Sequence, residues 1–130
     1  MYKEDLKYSK THEWVNVLKH HRVRMGITEY AQEKFGKILF VDIPEIDSEH
    51  EQFDSIAVIE AENALTEIDC PISGKIISIN EEIDNDPTII NHDPYEDGWI
   101  LELEIYHEEE LDELMDYDEY QKFIEDGGAE

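Results

Sequence analysis

The sequence has a single cysteine and few basic residues. Cys70 has no second cysteine to pair with, which excludes an internal disulfide and a metal site made only of cysteines. Ten lysines and arginines stand against 35 aspartates and glutamates, so the formal net charge is −25. This charge repels nucleic acids and anionic membranes and favours basic protein partners or cations. A solvated acidic surface or adaptation to high salt gives the same composition, so charge alone identifies no partner.

Long apolar runs are also missing. No stretch approaches the roughly 20 apolar residues that span a bilayer. The first ten residues, MYKEDLKYSK, contain neither the hydrophobic core of a secretion signal nor an Arg/Ser-rich, acid-poor presequence. We therefore expect a soluble intracellular protein, most simply a cytoplasmic one. The 130 residues fit one domain over 1–130, and about 126–130 is expected to be a frayed tail.

Alternating apolar and polar residues predict a series of strands. EWVNV and HRVRMGI are expected to pair through a turn at LKHH, and KILFVDI to end before Pro44. GWILELEIY is the clearest strand of the chain. SIAVIEAE and GKIISIN are expected as the two strands on either side of a polar segment that turns back at Pro71.

Two segments have the spacing of helices. TEYAQEKFG predicts a short helix, with Thr28 as its N-cap and Gly36 at its end. The tail repeats an i, i+3, i+4 apolar spacing, which predicts one or two C-terminal helices; the residues are Leu111, Leu114 and Met115, then Tyr120, Phe123 and Ile124. The whole pattern predicts a mainly β fold, a small sandwich or flattened barrel with one short inserted helix.

Five segments carry a resemblance that extends over roughly residues 5–125. They are LKYSKTHEWV, GITEYAQEKFGKILFVDIPE, PISGKIISIN, INHDPYEDGWILELE and LDELMDYDEYQKF. In this order, and without an obvious insertion, they resemble the H-protein of the glycine cleavage system, the lipoyl carrier of the biotinyl/lipoyl-domain superfamily. The resemblance implies a sandwich of two antiparallel sheets with a lipoyl hairpin exposed at one end. It also implies a carrier rather than an enzyme.

The lipoyl hairpin of that family reads approximately E-S-V-K-A-x-S-D-x-x-x-P-x-S-G. The modified lysine lies eight residues before the proline, and eight residues before Pro71 this sequence has Asn63. Glu60 and Ala64 keep the family residues on either side. Lipoate is attached through the primary amine of lysine, whereas the lone pair of an asparagine amide nitrogen is delocalised into the carbonyl. The resemblance therefore implies a hairpin in register with its family but without lipoate.

The same hairpin is the predicted partner-binding segment. Its candidate residues are Glu60, Glu62, Asn63, Glu67 and Asp69. Two of the acids, Glu62 and Asp69, are additions to the family pattern, and added charge changes how a modifying enzyme docks. Exposed carboxylates without a partner are the simpler alternative. No neighbouring lysine is expected to replace Asn63, since Lys75 lies past the PISG turn.

No metal site is predicted. His20 and His21 are adjacent in a turn, and neighbouring residues make a poor chelate; the other histidines considered, His12 and His50, lie elsewhere. Residues 84–87 have the sequence DNDP, which resembles the start of a calcium loop but lacks its glycine and its final glutamate, so a plain loop is expected.

No catalytic constellation is predicted either. Cys70 has no evident His or Asp partner and is expected to be a small packed residue. Tyr95 and Trp99, in a turn that conforms to the family, are expected to pack at the core or its edge. The sequence shows no Gly-rich phosphate loop and no hydrolase elbow.

Three hypotheses about function remain open at this point. The first is an unlipoylated, non-catalytic binding or regulatory homologue of the lipoyl carrier, which binds protein partners of the glycine cleavage or lipoate-handling type. The second is a working carrier of glycine cleavage, or of a related lipoate-linked or sulfur-transfer pathway, modified at another lysine or at Cys70. The third is an inert or engineered variant.

Overall fold

The computed structural model describes residues 3–128 and shows two antiparallel sheets connected by short helices. The strands are β1 (Lys7–Tyr8), β2 (Glu13–Val17), β3 (Arg22–Ile27), β4 (Ile38–Asp42), β5 (Glu49–His50), β6 (Ser55–Ala61), β7 (Leu65–Asp69), β8 (Gly74–Ile79) and β9 (Leu101–Ile105). One sheet has six strands in the order β1-β2-β3-β9-β8-β5, and the other has three in the order β4-β6-β7. The predicted mainly β fold of two antiparallel sheets is confirmed.

The helices lie in the connections and at the C-terminal end. They are α1 (Glu29–Phe35), α2 (Glu82–Asn85), α3 (Ile89–His92) and α4 (Tyr117–Glu125), with 3-10 helices at Lys3–Asp5 and Glu108–Glu113. Helix α1 has the predicted ends. The Thr28 hydroxyl accepts a hydrogen bond from the backbone N–H of Ala31 at 3.2 Å. Gly36 follows the last turn with φ of 78°, a conformation that favours glycine.

The strand that returns from the hairpin differs from the prediction. β6 pairs with β7 and not with GKIISIN, because the segment LTEID alternates and closes the hairpin within the three-stranded sheet. β8, which contains GKIISI, pairs with β9 in the six-stranded sheet. Pro71 therefore lies on the crossing from one sheet to the other, where its missing N–H breaks no strand ladder.

The C-terminal segment is helical in two different ways. The spacing of Leu111 and Leu114 falls on the 3-10 helix Glu108–Glu113 and the residue after it. Met115 belongs to no helix, because its N–H and carbonyl form hydrogen bonds of 2.7 and 2.8 Å with the backbone of Tyr8 at the edge of the larger sheet. Helix α4 then begins at an Asp116 cap and follows the predicted second repeat.

The segment expected as a plain loop after β8 is partly helical. Asp84 and Asn85 lie in α2, and Pro87 separates this single turn from α3. Ile83 and Ile90, one from each turn, are buried in the main core. Tertiary burial of these two isoleucines stabilises turns that are too short to form alone.

The main core lies between the two sheets and contains 22 buried residues of the 3–128 range. A second cluster joins the N-terminal strands to α4 and consists of Leu6, Tyr8, Trp14 and Tyr120. Tyr95 and Trp99 pack against this cluster, as predicted. Residues 129 and 130 lie outside the described residues, and the fraying expected for 126–130 stays a prediction.

Candidate functional site

The hairpin of β6 and β7 presents Asn63 at its turn. Glu60 and Leu65 are the last paired residues of the two strands. The N–H of Ala61 donates to the carbonyl of Ala64 at 2.8 Å and closes the turn. Glu62 and Asn63 are therefore the two residues at the tip, and both are exposed.

The tip is held to the segment that follows α1. The N–H of Glu62 donates to the carbonyl of Lys37 at 3.0 Å, and the N–H of Asn63 donates to the carbonyl of Phe35 at 2.9 Å. In return, the N–H of Lys37 donates to Oε1 of Glu62 at 3.0 Å. Glu62 thus satisfies a backbone donor, a role that neither of the two sequence-based interpretations, a contact for a partner or an exposed carboxylate without one, had included.

The side chain of Asn63 lies over Gly36. A Cβ atom placed on Gly36 would lie 2.8 Å from Nδ2 of Asn63 and 3.1 Å from Oε1 of Glu62. Any larger residue at position 36 would push against the tip, and the positive φ already favours glycine there. The sequence assigned Gly36 only a helix-ending role, whereas the structure gives it a second one beneath the tip.

The remaining hairpin acids lie along the strands. Glu60 and Glu67 are exposed and belong to the outer face of the three-stranded sheet, since the neighbouring Ile59 and Ile68 are buried on the inner face. Asp69 lies at the far end of β7, opposite Ser55, and is half-buried. The five predicted residues therefore divide into a tip, an outer face and a strand end.

Asp69 is linked to a buried carboxyl group that the sequence analysis missed. Its N–H donates to Oε2 of Glu13 at 3.2 Å, and the hydroxyl of Ser9 donates to Oε1 of Glu13 at 2.5 Å. Thr11 donates to the same oxygen. Only 2% of Glu13 is exposed. The glutamate connects the first strands of the larger sheet with the end of β7.

Burial raises the pKa of Glu13 from 4.5 to about 7, although hydrogen bonds from Ser9, Thr11 and Asp69 act in the opposite direction. Burial also raises the pKa of Asp69, helped by the nearby carboxylate of Glu67. Glu13 lines an open cavity of about 440 Å³ between β2, β7 and α1. Glu13 is the first residue of β2, a position at which the sequence pattern predicts a half-buried side chain at most. Nothing in the sequence therefore identified Glu13 as buried.

A lysine lies beside the tip in space. The two hydrogen bonds with Glu62 bring the backbone of Lys37 alongside the hairpin turn, and its side chain is exposed. In the sequence, Lys75 is the first lysine after Asn63, and it was the one weighed as a replacement. Lys37 was missed because the loop after α1 returns to the hairpin only in the folded protein.

Cys70 is a packed residue, as predicted. It is fully buried, its Sγ–H donates to the carbonyl of Ile72 at 3.0 Å, and burial raises its thiol pKa to about 12. A thiol in this environment is rarely ionised and is out of reach of a reagent in solvent.

The histidines do not converge. His20 and His21 lie in an exposed turn, both with positive φ. The ring of His12 lies 2.8 Å from the hydroxyl of Tyr120, and that of His50 lies 2.9 Å from the hydroxyl of Ser48. Within residues 3–128, no three His, Cys, Asp or Glu side chains come together as a metal site requires. The helices of this part of the chain are also too short and polar to cross a bilayer.

Comparisons with known proteins agree on one family. The family model described as Glycine cleavage H-protein matches residues 6–127. The glycine cleavage system H protein of Coprothermobacter proteolyticus is 43% identical over 121 residues, which are 93% of this chain and 95% of that protein. The one from Carboxydothermus hydrogenoformans is 40% identical over 125 residues, 96% of this chain and 95% of that protein.

A solved structure is similar over almost the whole chain. The crystal structure of a glycine cleavage system H protein from Mycobacterium marinum superposes with a TM-score of 0.84 at 27% identity. The match covers 94% of this chain and 98% of that one.

Proposed function

Because the chain belongs to the glycine cleavage H-protein family, we propose that it is a member of that family which carries no lipoyl group at its hairpin. It acts as a binding or regulatory module and not as a catalyst. It binds protein partners of the glycine cleavage or lipoate-handling type through the hairpin. Asn63 at the turn of β6 and β7 is the observation that carries this proposal.

The chemistry at the tip supports the absence of the arm. A lipoyl amide forms when a primary amine attacks an activated lipoyl group, and Asn63 offers only a carboxamide nitrogen. The asparagine side chain also folds back over Gly36. The tip is therefore exposed and well anchored, and it has no nucleophile at the turn itself.

Co-expression with a lipoate ligase and lipoate tests this part of the proposal. Intact mass spectrometry is expected to give the unmodified mass under conditions that fully modify a lipoylated H-protein expressed alongside. A gain of one lipoyl group on the wild-type protein would overturn the proposal.

The partner half of the proposal needs its own measurement. The purified protein is expected to bind at least one purified protein of the glycine cleavage system or a purified lipoate ligase. It is also expected to compete with a lipoylated H-protein for that partner. Binding to none of these proteins would overturn the partner half and leave the question of lipoylation to the mass measurement.

A specific observation favours a second candidate function, that of a carrier modified at another residue. Lys37 is exposed and its backbone is hydrogen-bonded to Glu62 at the tip, so an exposed lysine starts from the immediate neighbourhood of the hairpin turn. Cys70, the other residue considered for such a modification, is buried and its pKa is raised.

The Lys37→Arg variant distinguishes the two candidate functions. If the co-expressed wild-type protein gained a lipoyl group and Lys37→Arg did not, Lys37 would be the attachment site and the second candidate would hold. Lys34→Arg is the matched control, since Lys34 is also an exposed lysine near the end of α1. We expect all three proteins to keep their unmodified masses.

A further inference from the structure

We propose that the outer face of the three-stranded sheet docks a protein partner through an arginine or lysine of that partner, which reaches Glu60 between Phe40 and Leu65. This inference rests on the proposed function, because it identifies the surface and the partner chemistry by which such a binding module would work. It concerns residues on the strands, beyond the tip.

The strand register brings the three side chains into one row. Glu60 of β6 is paired with Phe40 of β4 on one side and with Leu65 of β7 on the other. Adjacent strands lie about 4.8 Å apart, so the carboxylate lies between the two apolar side chains. The exposed fractions are 54% for Phe40 and 76% for Leu65, high values for large apolar residues on a sheet.

The next row of the same face continues the pattern. Val58 lies at its centre, paired with Asp42 on β4 and with Glu67 on β7. Both acids are exposed. The row with Glu60 thus combines two apolar side chains with one carboxylate. The next row has an acid at each end, Asp42 and Glu67. Interfaces place apolar anchors inside a polar rim, so a carboxylate among the anchors, such as Glu60, requires an opposite charge from the partner.

The charge of the face defines the partner. No lysine, arginine or histidine of residues 3–128 forms an ion pair with Glu60, Asp42 or Glu67. A cation from another molecule would thus find three carboxylates that no basic side chain of the described residues neutralises. Charge complementarity of this kind selects a basic partner surface and rejects an acidic one.

The row also suits the shape of a long basic side chain. The stem of an arginine or lysine would lie against Leu65 while its charged end reached Glu60. An arginine would also place its guanidinium on the ring of Phe40, a contact that adds to the ion pair. Arginine is among the residues that contribute most to protein interfaces.

A second copy of this chain does not suit the face. Each copy has a net charge of −25, and the same three acids would meet their counterparts across a two-fold interface. Like charges that face each other oppose association. The occupant that fits is a different protein with a basic, partly apolar contact surface.

The test uses a purified lipoate ligase and the purified proteins of the glycine cleavage system, each immobilised separately for biolayer interferometry. The variants are Phe40→Thr, Leu65→Thr and Glu60→Gln. Val17→Thr is the matched control, because Val17 is 50% exposed but lies on β2 in the other sheet. Threonine keeps a good strand propensity. Circular dichroism confirms that each variant folds, and Glu60→Gln keeps the side-chain shape.

For the protein that binds, each variant of the face is expected to raise the Kd roughly tenfold, whereas Val17→Thr leaves it unchanged. Glu60→Gln is also expected to reduce the dependence of the Kd on salt. If a probe binds and the three variants bind it as tightly as the wild type does, the surface is wrong and the proposed function stands. If no probe binds, the inference and the partner half of the proposed function are both overturned. A wild-type dimer in sedimentation velocity that Leu65→Thr dissociates would make the occupant a second copy and overturn the inference.

Discussion

Glu62 and Lys37 hold the hairpin tip through two hydrogen bonds that run in opposite directions. The N–H of Glu62 donates to the carbonyl of Lys37, the N–H of Lys37 donates to Oε1 of Glu62, and both distances are 3.0 Å. A residue that looked like an added surface charge is thus part of the turn's support. The tip keeps a defined shape with an asparagine at position 63.

Restoring the lysine alone is expected to restore lipoylation only slowly. In Asn63→Lys the amine returns, but Glu62 still adds a carboxylate beside it at the tip and Asp69 adds another at the far end of β7. Both charges alter recognition by the ligase. We expect an initial rate of lipoylation several-fold below that of a lipoylated H-protein, measured by intact mass against time with purified ligase.

Glu62→Gln separates the charge of this residue from its hydrogen bond to the N–H of Lys37. Glutamine keeps an oxygen that accepts from the N–H of Lys37 but removes the negative charge. The double variant Asn63→Lys/Glu62→Gln is expected to be modified faster than Asn63→Lys. Equal rates for the single variant, the double variant and an ordinary H-protein would show that the charge of Glu62 has no part in recognition.

Gly36→Ala is expected to destabilise the protein by about 1–3 kcal/mol. Its φ of 78° with ψ of −157° lies in a region that is nearly restricted to glycine. The added methyl group would also press on Nδ2 of Asn63. A double-mutant cycle measures this contact by urea unfolding of the wild type, Gly36→Ala, Asn63→Ala and the double variant. The double variant should be less destabilised than the sum of the two single variants by about 0.5–1.5 kcal/mol. Strictly additive changes in the free energy of unfolding would mean that the methyl group added at position 36 does not press on the side chain of Asn63.

Glu13 is expected to make stability depend on pH near neutrality. Its pKa is about 7 in the folded protein against an ordinary 4.5, so the folded state binds more protons between these values. The free energy of unfolding contributed by this group is therefore complete below pH 4.5 and is lost as the pH rises to 7. The loss is on the order of 1–3 kcal/mol.

Glu13→Gln removes this titration. Urea unfolding at a series of pH values should show the wild type losing stability relative to the variant between about pH 4.5 and pH 7. The other titrating groups are common to both proteins and cancel in the difference. Parallel curves for the two proteins would mean that Glu13 ionises in the folded state at its ordinary pKa.

Glu102 and Glu104 lie on the same strand and are expected to differ in their effect on stability. Glu102 is 5% exposed and accepts hydrogen bonds from Arg22 at 2.9 Å and from Arg24 at 2.9 and 2.7 Å. Glu102→Gln leaves two arginines short of a counter-charge and should cost about 2–3 kcal/mol.

Glu104→Gln is the control for this pair. Glu104 is exposed and lies 4.0 Å from Lys75, so its loss should change the free energy of unfolding by less than about 0.5 kcal/mol. Chemical unfolding of both variants in the same buffer measures the difference. Similar values for the two positions would contradict the importance of the ion pairs that the buried Glu102 forms with Arg22 and Arg24.

Elements whose ends and faces depend on residues close together in the chain were predicted correctly from the sequence. The cap at Thr28, the glycine that ends α1 and the alternation in β9 all correspond to observed elements. The pairing of β6 with β7 was missed, because LTEID is short and its apolar residues are few. Register across strands is a tertiary property that a pattern along the chain specifies only weakly.

The candidate site was predicted in part for the same reason. The positions of Asn63 and the four hairpin acids follow from the chain order, but their surroundings do not. Lys37 meets the tip through backbone bonds from a loop about 25 residues earlier in the chain, and Glu13 meets Asp69 across 56 residues. A buried glutamate at the start of a strand has the same local pattern as an exposed one.

The intact mass of the protein purified from its own cells, followed by peptide mapping of residues 55–69, tests the central claim most directly. The account predicts the unmodified mass and an unmodified Asn63 peptide in cells whose other lipoyl proteins are fully modified. A lipoyl adduct on the native protein, at Lys37 or at any other residue, would contradict it.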